Sequence, residues 1–442
     1  MTRISPKRAL GYRSVTKTIT NNSLQASYLL ALKLSLPLIV GCLFISSYFN
    51  VNFLTVFINP SLDGGCYENQ PGLGIHCFGD FGHSLSSVSN GFNGYWESLN
   101  SHYPPLTFYV FSFFKLIAQY TTYQVSLCIY LFLLIACCLF PAYKFLRRKN
   151  TRKESVLFAL ASIGLLPVIM TIDRGNLVGL CIPLLSYYLI QLNSPKQKKK
   201  TQIFVYCLLV GLKPQFFLLI LINFGREQRL DRIKEILFTG MSYLVLFLIG
   251  SPLHILSNIE LFLKGLQGYG AISFDKLYSY NYTFAQGIHN LLHLFTFQIS
   301  TSITIGLSLL LSVIILIVFV LKYSALSTYE RIIYIVPLVF LIPSVSYAYY
   351  SVILLPLAFL AENTEVNGLN RKKESRSLNL YVRVPFFLTI TPLYILGNWF
   401  GLAGNPYNLI QQAVPSIWVI YYSIVIFVLL KSSVKKQKFS HV

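Results

Sequence analysis

Between Leu29 and Leu430 the sequence keeps returning to one pattern: apolar runs, many of them roughly 17 to 25 residues long, separated by short basic segments. A helix of that length spans the roughly 30 Å of hydrocarbon in a bilayer, where every backbone N–H and C=O must be satisfied internally. Only 12% of the 442 residues are charged, about half the share of roughly 25% that solvates an ordinary soluble domain. A water-soluble globular enzyme is thereby excluded. Alternating ten-residue strands of an outer-membrane barrel are absent. The pattern predicts an all-α, polytopic transmembrane helical bundle, with residues 1–442 forming a single integral-membrane domain.

The net charge of +21 raises the question of nucleic acid, and the placement of the charges answers it. Thirty of the 36 Lys and Arg residues fall within 1–27, 144–154, 195–202, 224–235, 322–331, 367–384 and 431–442. Such an excess marks cytoplasmic loops. The expected topology therefore places both termini in the cytoplasm of a cell membrane, with no nucleic-acid partner. About twelve spans follow, near 29–49, 123–143, 155–171, 176–192, 202–213, 214–224, 234–250, 300–321, 332–345, 349–361, 385–401 and 413–430. The apolar stretch from Leu106 to Ala118 is placed as a juxtamembrane helix at the outer interface, because counting it as a crossing would carry Lys144 to Lys153 outside.

Two outer loops are long, 50–104 and 251–299, and together they hold six of the seven histidines. The first carries Asp63, Glu68, Asp80 and Glu97 with no Lys or Arg. Cys66 and Cys77, also in this loop, can bridge if that side is oxidising. Asn281-Tyr282-Thr283 is a formal glycosylation sequon. No Walker, GxGxxG, HExxH or paired CxxC motif is present, which leaves no soluble cofactor or structural zinc to assign.

Charge and broken helix at membrane depth are costly and persist where they line a cavity. Two such places are Asp173-Arg174-Gly175-Asn176 and Gly211-Leu212-Lys213-Pro214-Gln215, each turning back near the outer side with one cation. Arg174 offers a planar fork and Lys213 a point charge, and both suit an anionic lipid headgroup such as a phosphate. The bland alternatives are an Asp173–Arg174 pair capping a helix turn and a snorkelling Lys213. A third break, Pro343-Ser344-Val345-Ser346-Tyr347, leads into Tyr349 and Tyr350, which read equally as an interfacial aromatic belt.

The order of these features resembles the GT-C membrane glycosyltransferases, and glycosyltransferase family 87 in particular. The resemblance rests on the long first outer loop with its acid, Tyr103-Pro104-Pro105-Leu106, the Gly175-Asn176 turn, the Gly-Leu-Lys213-Pro214 turn, Asn281-Tyr282-Thr283 to His289, and Pro343-Ser344-Val345-Ser346-Tyr347. It covers a motif-bearing core within 28–361 and leaves the C-terminal spans, 385–430, without a motif. Tyr347 stands where the family pattern has Trp, and His83 where an aromatic is expected.

The resemblance implies transfer of a sugar, mannose by family analogy, from a polyprenyl-phosphate-linked donor to a hydroxyl of a glycan or glycolipid acceptor on the outer face, with inversion. The lipid-linked sugar is then a co-substrate, and neither cofactor nor metal is expected. Asp80 is the preferred general base and Asp63 its competitor. Arg174, Lys213 and His289 are assigned to the donor phosphate, and His83, Tyr103, Asn176 and Gln215 to the substrate cavity. Asp80 with Glu97 or Glu68 is the alternative that would hold a divalent cation. Two rival functions are an oligosaccharide polymerase or ligase, which typically relies on basic outer loops, and a lipid-sugar flippase or transporter, which predicts internal repeats.

Overall fold

The structure is a computed structural model. It describes residues 23–49, 78–88, 103–146, 151–194, 198–223, 229–250, 255–274, 281–295, 300–343, 346–360, 381–393 and 409–439. Among these residues there are helices and 3₁₀ segments and no strands, apart from a single antiparallel bridge between Asn281 and Tyr347. The all-helical expectation holds. The acids Asp63, Glu68 and Glu97, the cysteines Cys66 and Cys77, and the residues Ser344 and Val345 lie outside the described residues.

Helix α1 (Ser23–Phe49) is followed by the short α2 (Gly79–Ser87), then α3 (Pro105–Tyr120) and α4 (Tyr123–Leu146). The stretch expected to lie at the interface is thus helical. Pro104-Pro105 starts α3, as a fixed φ and a missing donor favour the first turn. A capping box between Thr151 and Glu154 opens α5 (Arg152–Ala161). The chain then bends by 72° into α6 (Leu166–Arg174). A 3₁₀ turn, Leu177–Cys181, leads into α7 (Ile182–Leu192), and α8 (Lys199–Leu212) ends at Lys213. The 3₁₀ segment Pro214–Asn223 continues from it.

The later elements are α9 (Arg229–Gly250), α10 (Ile255–Phe274), α11 (Phe284–Leu294), α12 (Thr301–Lys322), α13 (Thr328–Ile335) and α14 (Leu338–Leu341). They lead to the 3₁₀ segment Ala348–Phe359, then α15 (Arg383–Ile390) and α16 (Leu409–Phe439).

Among the described residues four helices are long and apolar enough to cross a membrane, over Leu24–Tyr48, Tyr123–Lys144, Thr301–Ala325 and Ala413–Lys431, and the bent α5–α6 pair makes five. The twelve crossings expected from the sequence are more than these helices supply. Part of the difference lies at the breaks. Leu165, Gly175 and Lys213 each leave the helical region, and the pieces so formed are too short to cross alone. They bury against one another instead. The 3₁₀ segment Ala348–Phe359 is buried over most of its length and packs on α1, α4, α6 and α7. By contrast α12 presents Leu309, Leu310, Val313 and Ile317 on its surface, as a lipid-facing helix should.

Candidate active site

The first acid of the site is set by a strained turn. Phe78 has φ 68° and ψ 28°, a left-handed conformation that costs a bulky residue about 1–2 kcal/mol. It is held there because its N–H donates to the carbonyl of Asp173 at 2.5 Å. Three residues on, Phe81 is fully buried among Phe111, Phe114 and Tyr130, with the Tyr130 ring centroid 4.5 Å away. Asp80 sits between these two anchors in the first turn of α2, and its backbone carbonyl accepts from Ser84 Oγ at 2.6 Å. A carboxylate in the first helical turn also meets the positive end of the helix.

The second contribution comes from the end of α6. Gly175 adopts φ 62° and closes the helix, its N–H donating to Ile172, and its carbonyl accepts from Tyr130 Oη at 2.9 Å. The position requires glycine twice over. The left-handed φ is one reason, and the other is that a Cβ here would lie 3.1 Å from Phe81 Cβ and 3.3 Å from Phe78 Cα. This closure aims the residues on either side at Asp80. Arg174 Nη2 donates to Asp80 Oδ1 at 2.6 Å, the two side chains being 14% and 11% exposed. Asn176 Nδ2 donates to Asp80 Oδ2 at 2.5 Å, while its own Oδ1 accepts from Val178 N–H at 2.9 Å and so fixes the amide. Both carboxylate oxygens therefore have a dedicated donor. Arg174 Nε is buried without a partner, and the guanidinium carbon lies 5.7 and 5.8 Å from the rings of Tyr347 and Tyr349.

The third contribution is Lys213, at the break between α8 and the 3₁₀ segment Pro214–Asn223. Its extended backbone (φ −145°) stops α8, and Thr107 Oγ1 of α3 donates to the preceding carbonyl, Leu212, at 2.6 Å. Lys213 is only 4% exposed. Its Nζ donates to Tyr350 Oη at 3.1 Å and lies 4.8 and 5.3 Å from the ring centroids of Tyr103 and Tyr350. Tyr103 is the electrostatic link across the site. Burial pushes its phenol up, the nearby Lys213 charge pulls it down, and the Asp80 charge pushes it up again.

The structure thus brings together Asp80, Arg174, Asn176, Lys213 and Tyr103 from four separate stretches of chain. Arg174 has Asp80 as its ion-pair partner, 94 residues away, and the snorkelling alternative for Lys213 does not fit its burial. Other candidates take no part in these contacts. The His83 side chain is exposed on α2. Gln215 is partly buried, with its Oε1 unpartnered. His289 lies on α11 beside His293, ring centroids 6.3 Å apart, and burial followed by that neighbour's charge holds its imidazole below the ordinary range.

Tyr350 is the participant that the sequence treats as part of an aromatic belt. Thr171 Oγ1, near the end of α6, donates to the carbonyl of Tyr349 at 3.2 Å and sets this strip against α6. The signal available in sequence is three tyrosines in four positions, 347, 349 and 350, directly after a helix-breaking turn. The sequon has a structural role instead. Asn281 is 1% exposed, its Oδ1 accepts from Ser346 N–H at 2.9 Å, and Thr283 caps α11 by accepting from Gln286 N–H.

The sequence model of glycosyltransferase family 87 matches residues 102–343. The matched stretch contains Tyr103, Arg174, Asn176, Lys213, Gln215 and His289, whereas Asp80, His83 and Tyr350 lie outside it. No curated protein and no solved structure matches the chain.

Proposed function

The chain belongs to glycosyltransferase family 87, and from that premise we propose that it transfers a sugar from a polyprenyl-phosphate donor to an acceptor hydroxyl, with Asp80 as general base and Lys213 as the principal phosphate ligand. The protein is a glycosyltransferase of the membrane; the donor, the stereochemistry and the residue roles are the proposal.

The supporting observation is the asymmetry of charge in the site. Asp80 is held at both oxygens by Arg174 and Asn176. Lys213 is buried with one neutral hydrogen-bond partner and, among the described residues, no carboxylate in contact. A buried ammonium is costly unless an anion compensates it, and a phosphate supplies that anion. A carboxylate of fixed orientation retains lone pairs for an incoming hydroxyl proton, since each oxygen accepts more than one hydrogen bond.

In the proposed step the acceptor oxygen attacks the anomeric carbon from the face opposite the phosphate, and its proton passes to Asp80. The bond from the anomeric carbon to the phosphate oxygen breaks, and its electron pair leaves on the polyprenyl phosphate. Lys213, with the uncommitted Nε of Arg174, stabilises that developing charge. Attack from the opposite face inverts the anomeric centre. Neither a nucleotide nor a soluble binding domain is required, because the donor reaches the site through the lipid phase. We place the site towards the outer face, with both termini cytoplasmic.

Purified protein in lipid, incubated with a panel of polyprenyl-phosphate sugars and glycan acceptors, tests this directly. Asp80→Asn should remove transfer, by at least about 10²-fold, while the protein remains inserted and folded. Wild-type turnover by that variant eliminates Asp80 as the base.

A further inference from the structure

Tyr350 is fixed on three sides. Its N–H donates to the carbonyl of Tyr347 at 2.9 Å, and its ring stacks on Tyr349 with centroids 5.0 Å apart. Its hydroxyl oxygen accepts from Lys213 Nζ at 3.1 Å. A phenol that accepts this bond must direct its own proton elsewhere. Among the described residues no acceptor takes it. Lys213 likewise commits one of three ammonium hydrogens here, with the ring of Tyr103 4.8 Å from its nitrogen. An ammonium alone is a point charge that leaves a phosphate free to rotate. An O–H beside it adds a direction, and a phenol polarised by a neighbouring cation is a strengthened donor to an anion.

We infer that Tyr350 is a second phosphate-binding group, its hydroxyl accepting from Lys213 and donating to a phosphate oxygen of the lipid-linked sugar, so that the two side chains together orient the leaving group. This rests on the phosphate role proposed above for Lys213. It assigns function to a residue outside the family match and explains why a tyrosine, rather than a purely apolar aromatic, faces the ammonium. The phosphate so oriented presents its sugar to Asp80 in one pose. Removing the hydroxyl should therefore weaken the donor and leave acceptor recognition intact.

Tyr350→Phe keeps the ring beneath the ammonium and the stack on Tyr349, and removes only the hydroxyl. Protein in lipid nanodiscs is titrated with a short-chain polyprenyl phosphate, the leaving group itself, and with the corresponding polyprenol as the neutral control. The expected result is about tenfold weaker binding of the phosphate, equivalent to about 1.4 kcal/mol, unchanged binding of the polyprenol, and a raised donor KM with an unaltered acceptor KM. In a second arm, 3-fluorotyrosine at position 350, a stronger donor of nearly the same shape, should bind the phosphate more tightly than wild type. Wild-type phosphate affinity in Tyr350→Phe overturns the inference, as does an equal loss for the polyprenol. If Tyr350→Phe misfolds, the fluorinated protein decides, and unchanged affinity there rejects the role. Should Lys213→Met lose the phosphate ligand while both changes at position 350 have no effect, only the Tyr350 assignment falls. If wild type does not prefer the phosphate to the polyprenol, the phosphate role of Lys213 falls with it.

Discussion

Asn176→Asp isolates the electrostatics of the proposed base, Asp80. The side chain keeps its size, and its Oδ1 still accepts from Val178 N–H, so the local cap survives. What changes is the atom 2.5 Å from Asp80 Oδ2, where an N–H donor becomes a carboxylate oxygen. Two unit charges about 4 Å apart at an effective dielectric of about 20 repel by about 4 kcal/mol. At 1.36 kcal/mol per pH unit this is a displacement of about 3 units. The Asp80 side chain is 11% exposed, and partial screening by water lowers the figure to about 2. The two carboxylates then share a proton to higher pH, as paired carboxylates do. A general base must be unprotonated to act, so the acid limb of kcat/KM should move upward by about 2 to 3 pH units. The assay is a pH profile of sugar transfer for wild type, Asn176→Asp and Asn176→Ala. The alanine variant loses the donor and the cap without adding charge, and should lower the rate without the same displacement. An acid limb in Asn176→Asp that coincides with wild type would refute the assignment of Asp80 as the titrating base held by Asn176.

Gly175→Ala should destabilise the protein by at least about 1–2 kcal/mol, because the left-handed φ persists and the new methyl meets Phe81 Cβ at 3.1 Å. Thermal unfolding in detergent measures it, and an unchanged midpoint contradicts the packing described for this turn. His289→Gln should leave the donor KM unchanged, since His289 lies beside His293 and joins none of the contacts around Asp80; a raised donor KM would return it to the proposed phosphate site. Cysteines introduced at the exposed positions Ser86 and Arg152 should label from opposite sides of the membrane with an impermeant reagent, and same-side labelling rejects the orientation.

Charged residues in apolar surroundings are conspicuous because they are expensive, and that is why Arg174 and Lys213 stand out in the sequence before any coordinates. Asp80 was legible for a related reason: it is an acid in a glycine-rich stretch ahead of Tyr103. Their partners were not legible. Arg174 has an acid next to it in sequence, yet its guanidinium reaches Asp80, because the left-handed closure at Gly175 turns the end of α6 towards α2. Tyr350 resembles any interfacial tyrosine until packing against α6 sets it beside Lys213. His83 and His289 carry a chemical type that suits such a site, and type does not determine which face of a helix is buried. The helix breaks carry clear sequence marks, Gly175-Asn176 and Lys213-Pro214, but hydropathy alone cannot say whether the broken pieces span or pack. The four long helices match expected spans because no such break interrupts them.

The buried sequon bears on how the protein should be produced. In a eukaryotic secretory pathway, oligosaccharide is attached to Asn-x-Thr while the nascent chain is still extended. A glycan linked to Asn281 Nδ2 at that moment would have no room beside a side chain that is 1% exposed and whose Oδ1 accepts from Ser346 N–H, and the neighbouring pairing with Tyr347 would be blocked. The tyrosine strip beginning there would be displaced from both cations. Expression in a host lacking that modification keeps the strip in register.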